Sequence, residues 1–217
     1  MLCLWLAAAG AFVMGLSAQP LAAQVRPLKI VALGDSLTAG YGIAANLAFP
    51  AQLERALRAR GHAIEIINAG VSGDTASGGL ARVDWSVPED ADAVILELGA
   101  NDALRGIDPA VTRKALEAIL DRLAKRKIPV LLCGMRAPPN LGPDYAGRFD
   151  AIFPALAEEY GALLYPFFLT DVATIRSLNL PDGLHPTEDG VAVIVKGILP
   201  KVEELIVRVK QNRTAPS

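Results

Sequence analysis

Ser36 sits in Gly34-Asp35-Ser36-Leu37, directly after the largely apolar run 28–33. Near the other end of the chain stands Asp182-Gly183-Leu184-His185-Pro186. The chain has two histidines, His62 and His185, and His185 follows an aspartate by three residues in a Gly/Pro-flanked loop. A serine hydroxyl is a weak nucleophile at neutral pH and needs an adjacent base. An imidazole can accept and return a proton near that pH. A neighbouring carboxylate holds the ring in place and stabilises its charged form. A serine at a strand end and an Asp/His pair on a late loop are therefore the parts of an acyl-transfer triad, with Ser36 as nucleophile, His185 as base and Asp182 as orienting group.

These residues need a scaffold that brings distant loops together. Five short β-prone runs, 28–33, 64–68, 93–98, 130–133 and 163–168, are mostly continuous apolar stretches rather than alternating ones. That pattern predicts strands buried on both faces. Helical patterns lie between them. Residues 51–60 run to a Gly61 stop, and 109–127 begin at a proline and end in a basic turn. Residues 145–160 end at Gly161, with Pro154 expected to bend or interrupt the helix. A last helix over 188–210 is expected to start at a Thr187 cap and to be kinked or divided at Pro200. Strands alternating with helices predict an α/β fold: a parallel five-stranded sheet, flavodoxin-like, in a three-layer α/β/α arrangement. In such sheets ligands bind beyond the carboxyl ends of the strands. Ser36, Gly73, Asn101 and His185 all follow predicted strands, so one sheet edge should collect them.

Four blocks in order carry a family likeness. They are Gly34-Asp35-Ser36-Leu37, Gly70-Val71-Ser72-Gly73-Asp74-Thr75, Gly99-Ala100-Asn101-Asp102 and Asp182-Gly183-Leu184-His185-Pro186. Together they resemble the SGNH, or GDSL, hydrolase family over about residues 28–205. Residues 36–42, 72–75, 97–106 and 165–168 are similar to its exported thioesterase I, lysophospholipase and arylesterase branch. The resemblance implies the SGNH hydrolase fold and cleavage of esters or thioesters (acyl-CoA, aryl esters, lysophospholipids) through an acyl-enzyme. It implies an oxyanion hole built from the backbone N–H groups of Ser36 and Gly73 and the side-chain amide of Asn101. These are the fixed donors that an oxyanion needs. Leu104, Ile107, Pro138 and Tyr145 are expected to bind substrate, with Pro139, Leu141 and Leu180 on the same apolar rim.

Other polar residues read as structural. Asp35 should tie down its own turn, Asp74 and Asp102 should cap helices or hold loops, and His62 should sit in a surface turn. Cys133 should be a small core residue. Gly-x-Ser-x-Gly and the phosphate-binding Gly-x4-Gly-Lys-Ser/Thr pattern are both absent. No cofactor is expected, and two histidines with so few cysteines give no metal site.

The 217 residues carry a formal net charge of −2 with 52% hydrophobic residues, which predicts one domain and gives no basic surface for nucleic acid. Residues 1–23 contain no charged side chain and end in Pro20-Leu21-Ala22-Ala23, like a secretory signal cleaved near Ala23; no Lys or Arg precedes the apolar core, so an uncleaved anchor is the competing reading. The expected organisation is a signal peptide over 1–23, one hydrolase domain over 24–210 and a flexible tail over 211–217. The protein should be periplasmic or secreted, monomeric, and without stable membrane insertion after processing; its partner should be a small acyl ester or thioester. Competing readings are a carbohydrate O-deacetylase of the same family, a flavodoxin-like nucleotide or flavin binder, and a catalytically dead binding module.

Overall fold

A computed structural model describes residues 26–214. The expected signal segment, Cys3 among it, lies outside the described residues. Five strands, β1 (Leu28–Gly34), β2 (Ile64–Gly70), β3 (Ala93–Glu97), β4 (Val130–Cys133) and β5 (Leu163–Tyr165), form one sheet in the order β2-β1-β3-β4-β5. Every pairing is parallel. The central strands β3 and β4 are buried at every position, which is why their sequences are apolar throughout but for Glu97 at the end of β3. The predicted fifth strand over 163–168 stops at Tyr165. Pro166 follows it, and a proline has no N–H to continue a ladder.

Helices cover both faces. On one side α2 (Phe49–Ala59) packs on α8 (Glu188–Thr214); on the other α3 (Ala76–Ser86) and α7 (Ile152–Tyr160) pack on α5 (Pro109–Lys125). Short helices α1 (Ser36–Ala39), α4 (Ala100–Leu104) and α6 (Pro143–Asp150) complete the chain. The helix expected over 145–160 is split into α6 and α7 at Ala151. The break places Pro154 in the first turn of α7, where an N–H has no intrahelical partner to lose. Pro200, by contrast, does not divide α8. It lies on the exposed face with Lys196, so the carbonyl it deprives of a donor is open to water. Thr187 caps α8 as expected, its Oγ1 accepting from Gly190 N at 3.2 Å. The helix runs on to Thr214, into the segment expected to be tail.

α3 was not legible in the sequence, because Gly78 and Gly79 weaken helix propensity. The fold needs both. A β-carbon at Gly79 would lie 2.3 Å from Leu98 Cδ1, and one at Gly78 would lie 2.6 Å from Asp74 Oδ1.

The strand register aligns the site. Gly34 is level with Gly70 on one side and Glu97 on the other, Glu97 with Cys133, and Cys133 with Tyr165. Five strands thus end in one row, and their loops emerge along one edge. The strand order reverses between β1 and β3, the position at which such sheets open a crevice.

Candidate active site

Asp35 caps α1, its Oδ1 accepting from Leu37 N at 2.9 Å, so Ser36 is the first helical residue rather than the cap. Ser36 Oγ lies 2.9 Å from His185 Nε2. His185 Nδ1 lies 2.7 Å from Asp182 Oδ2. Asp182 Oδ1 also accepts from Leu184 N at 2.9 Å and His185 N at 3.0 Å, closing the turn around the imidazole. The N–H groups of His185 and Leu184, and then the imidazole itself, hold the Asp182 carboxyl down at about 2. It stays charged wherever the histidine is to act as a base. The hydrogen-bond pattern places the imidazole proton on Nδ1 and leaves Nε2 to accept from the serine.

Gly73 has φ of +85°, in the left-handed region that favours glycine. Arg105 Nη2 donates to its carbonyl at 2.8 Å and holds the loop. No acceptor among the described residues takes the backbone N–H of Ser36 or of Gly73. Asn101 Nδ2 donates to Asp35 Oδ2 at 3.0 Å, which occupies one of the two amide hydrogens and leaves the other.

A cavity of about 380 Å³ adjoins the serine and histidine; Leu104, Met135, Arg136, Pro138, Phe167 and Leu184 are among the residues of its wall. Leu104 and Pro138 were expected there, as was Pro139. Ile107 and Tyr145 are not in the wall. Tyr145 Oη donates instead to the Ile107 carbonyl at 2.7 Å, and its ring stacks on Phe149 with centroids 5.9 Å apart. The pair ties the α4–α5 loop to α6. Leu141 is also absent from that wall, and Leu180 lines an adjoining depression.

Three groups were not singled out as site residues by sequence. Tyr41 lies against the His185 ring, with centroids 4.4 Å apart and planes 35° apart. Arg82 is buried; it bonds Asp74 Oδ2 at 2.6 Å and the carbonyls of Gly34 and Ala69, each at 2.8 Å. Glu97, at the end of β3, is wholly buried beneath the nucleophile turn. Its Oε2 accepts from Thr38 Oγ1 at 2.8 Å and from Asp35 N at 3.4 Å, while Oε1 has no partner among the described residues. Burial, and then the charge of Asp35, push the Glu97 carboxyl well above the usual carboxylate range. Burial likewise raises Asp35 to about 6. A glutamate in an apolar strand next to a Gly-Ala-Asn-Asp turn was the visible signal, though nothing in sequence says how deeply it is buried.

The structural readings of the other residues hold. Asp102 Oδ2 accepts from Ala76 N at 2.8 Å and Oδ1 from Thr112 Oγ1 at 3.0 Å, joining α3, α4 and α5. Cys133 is buried and free, and burial raises its thiol. His62 lies in the turn before β2, 3.4 Å from Glu203 of α8. Among the described residues no group of three or more His, Cys, Asp or Glu is placed to hold a metal.

Residues 32–193 match the model of the GDSL-like lipase/acylhydrolase family. An arylesterase from Vibrio mimicus is 40% identical over 159 residues, which span 73% of this chain and 80% of that one. The thioesterase 1/protease 1/lysophospholipase L1 of Escherichia coli is 35% identical over 178 residues, 82% of this chain and 84% of that one. Among solved structures, AlinE4, described as an SGNH-hydrolase family esterase, superposes with a TM-score of 0.71 at 49% identity, covering 82% of this chain and 96% of that one. The family match runs from within β1 through all four blocks, and on it the chain belongs to the GDSL-like lipase/acylhydrolase family.

Proposed function

We propose that the protein hydrolyses carboxylic esters and thioesters through an acyl-enzyme formed on Ser36. The observation that supports this most directly is the continuous relay from Ser36 Oγ through the His185 ring to Asp182, beside a largely apolar cavity. Ser36 Oγ attacks the acyl carbon as its proton passes to His185 Nε2. The charged imidazole is stabilised by Asp182, whose carboxylate is already held by two backbone donors. The oxyanion is met by the N–H groups of Ser36 and Gly73 and the second hydrogen of the Asn101 amide. The alcohol or thiol leaves with the proton from His185. Water then repeats the sequence and releases the acid.

The relatives' names point to aryl esters, acyl thioesters and lysophospholipids as the substrate class. The apolar wall suits an acyl chain and speaks against an acetyl sugar. No helix among the described residues is long and apolar enough to cross a membrane. We place the mature protein outside the cytoplasm, with cleavage near Ala23. The uncharged apolar segment before Gln24 supports this, and the intact mass of protein recovered from periplasm or medium tests it.

A fluorophosphonate probe tests the mechanism. It should add to the peptide bearing Ser36, and Ser36→Ala should abolish both labelling and turnover while the protein melts as the parent does. Labelling of another residue, or parental esterase activity in Ser36→Ala, rules the mechanism out.

A further inference from the structure

Arginines in this fold are almost all engaged. Arg26, Arg58, Arg82 and Arg122 pair with carboxylates; Arg105 and Arg126 donate to backbone carbonyls. Two guanidinium groups, those of Arg136 and Arg176, donate to no acceptor among the described residues. Both are exposed, and both stand at the catalytic edge. Arg136 follows β4 and lines the same cavity as Ser36 and His185. Its guanidinium carbon lies 4.8 Å from the centroid of the Phe167 ring, which steadies the side chain without neutralising it. Arg176 lines the adjoining depression of about 440 Å³, which shares Thr174, Asn179 and Gly183 with the catalytic cavity.

Two unpaired cations on continuous depressions beside a nucleophile are suited to an anion carried by the substrate. The fork of a guanidinium matches phosphate oxygens in particular. The apolar wall formed by Leu104, Met135 and Pro138 suits the acyl chain. The anion therefore belongs to the other side of the scissile bond. We propose that Arg136, with Arg176 on the adjoining depression, is a subsite for a phosphate group on the leaving alcohol or thiol, so that acyl esters and thioesters of phosphorylated carriers are the preferred substrates. This deepens the hydrolase reading above and rests on it. The phosphate can come from a nucleotide-bearing thiol or from a glycerophosphate head.

Matched pairs separate these cases. Octanoyl-coenzyme A is compared with octanoyl-N-acetylcysteamine, the same thioester without phosphate. A decanoyl glycerophosphate is compared with monodecanoylglycerol. For each pair the readout is the ratio of kcat/KM, phosphate-bearing over neutral. Arg136→Ala should lower that ratio about tenfold, the loss lying in KM, as for one exposed charge-assisted contact. Arg136→Lys should lower it less, and Arg176→Ala should lower it in the same direction. A fall in the coenzyme A pair alone identifies a thioester carrier; a fall in the glycerol pair alone identifies a lipid head. A ratio that Arg136→Ala leaves unmoved in both pairs overturns the subsite while the hydrolase reading stands. A parent protein inactive on all four compounds and unlabelled by fluorophosphonate overturns the hydrolase reading, and the subsite with it.

Discussion

The His185 imidazole is held on three sides: by Asp182 at Nδ1, by Ser36 at Nε2 and by the Tyr41 ring against its face. Asp182 does two jobs with two oxygens. Oδ2 meets the ring, and Oδ1 closes the turn on two N–H groups. The jobs can be separated by substitution. Asp182→Asn keeps an oxygen for the turn but loses the charge that orients and stabilises the imidazole. Its kcat should fall by about 10³- to 10⁴-fold, as for the corresponding change in other triads, with melting close to the parent. Asp182→Ala should lose the same activity and also melt lower. Equal melting of the two variants would mean that the turn does not depend on this carboxylate. Asn101 also has two tasks, one hydrogen on Asp35 Oδ2 and one free. Asn101→Ala should reduce kcat by about 100- to 1,000-fold through loss of an oxyanion donor, with little change in KM. A change confined to KM would leave it only the tether to Asp35.

At the scale of elements, loops that look alike in sequence divide into wall and strap. Leu104 faces the catalytic cavity, whereas Ile107, three residues later, gives its carbonyl to Tyr145. Each buried methylene of an acyl chain is worth roughly 0.8 kcal/mol. Activity should therefore rise with acyl length until the groove is full. Leu104→Ser should flatten that rise. Ile107→Ser should leave the profile in place and lower stability. The reverse pattern in a panel of acyl lengths would put Ile107 back in the groove. Arg82 fixes the framework behind these loops, reaching from α3 to the ends of β1 and β2. Arg82→Met strands Asp74 and two carbonyls, and should cost on the order of 3 kcal/mol in denaturant unfolding. A smaller loss would mean that water replaces the guanidinium readily.

For the whole molecule, burying Glu97 and Asp35 under the nucleophile makes stability depend on pH. A carboxyl whose value is raised by folding binds its proton more tightly in the folded than in the unfolded chain. Its effect on stability thus worsens as pH climbs, here from the ordinary carboxylate range through about 6 for Asp35 and further for Glu97. Asp182 acts in the opposite sense. Its contribution, present above the ordinary range, is lost as pH falls toward about 2. Tm measured against pH should therefore decline on the alkaline side, and Glu97→Gln, which cannot ionise, should flatten that decline whatever its effect on the level. Parallel slopes for parent and variant would exonerate Glu97.

The alternation of apolar runs with helical stretches, and the placing of the blocks after strand ends, determined the sheet and the edge on which Ser36, Gly73, Asn101 and His185 meet. Both signals are local: a strand buried on two faces is mostly apolar along its length, and the loop that bears the site follows it. The helix ends at Thr187 and Pro109 were legible for the same reason, since caps act within a few residues. What the sequence left open depends on partners distant along the chain. Pro154 and Pro200 are the same residue type in apparently similar helices. One falls at a helix start and the other on an exposed face beside Lys196, so only the first marks a break. Two glycines in α3 look unfavourable until Leu98 and Asp74 come to lie against them. Leu104 ends α4 and Ile107 stands three residues on in the loop after it, and only the packing of that loop against Tyr145 of α6 shows that Ile107 is not in the cavity wall. Burial is a property of the assembled layers. For that reason the orphaned oxygen of Glu97 and the unpaired guanidinium of Arg136 became visible only with the tertiary structure.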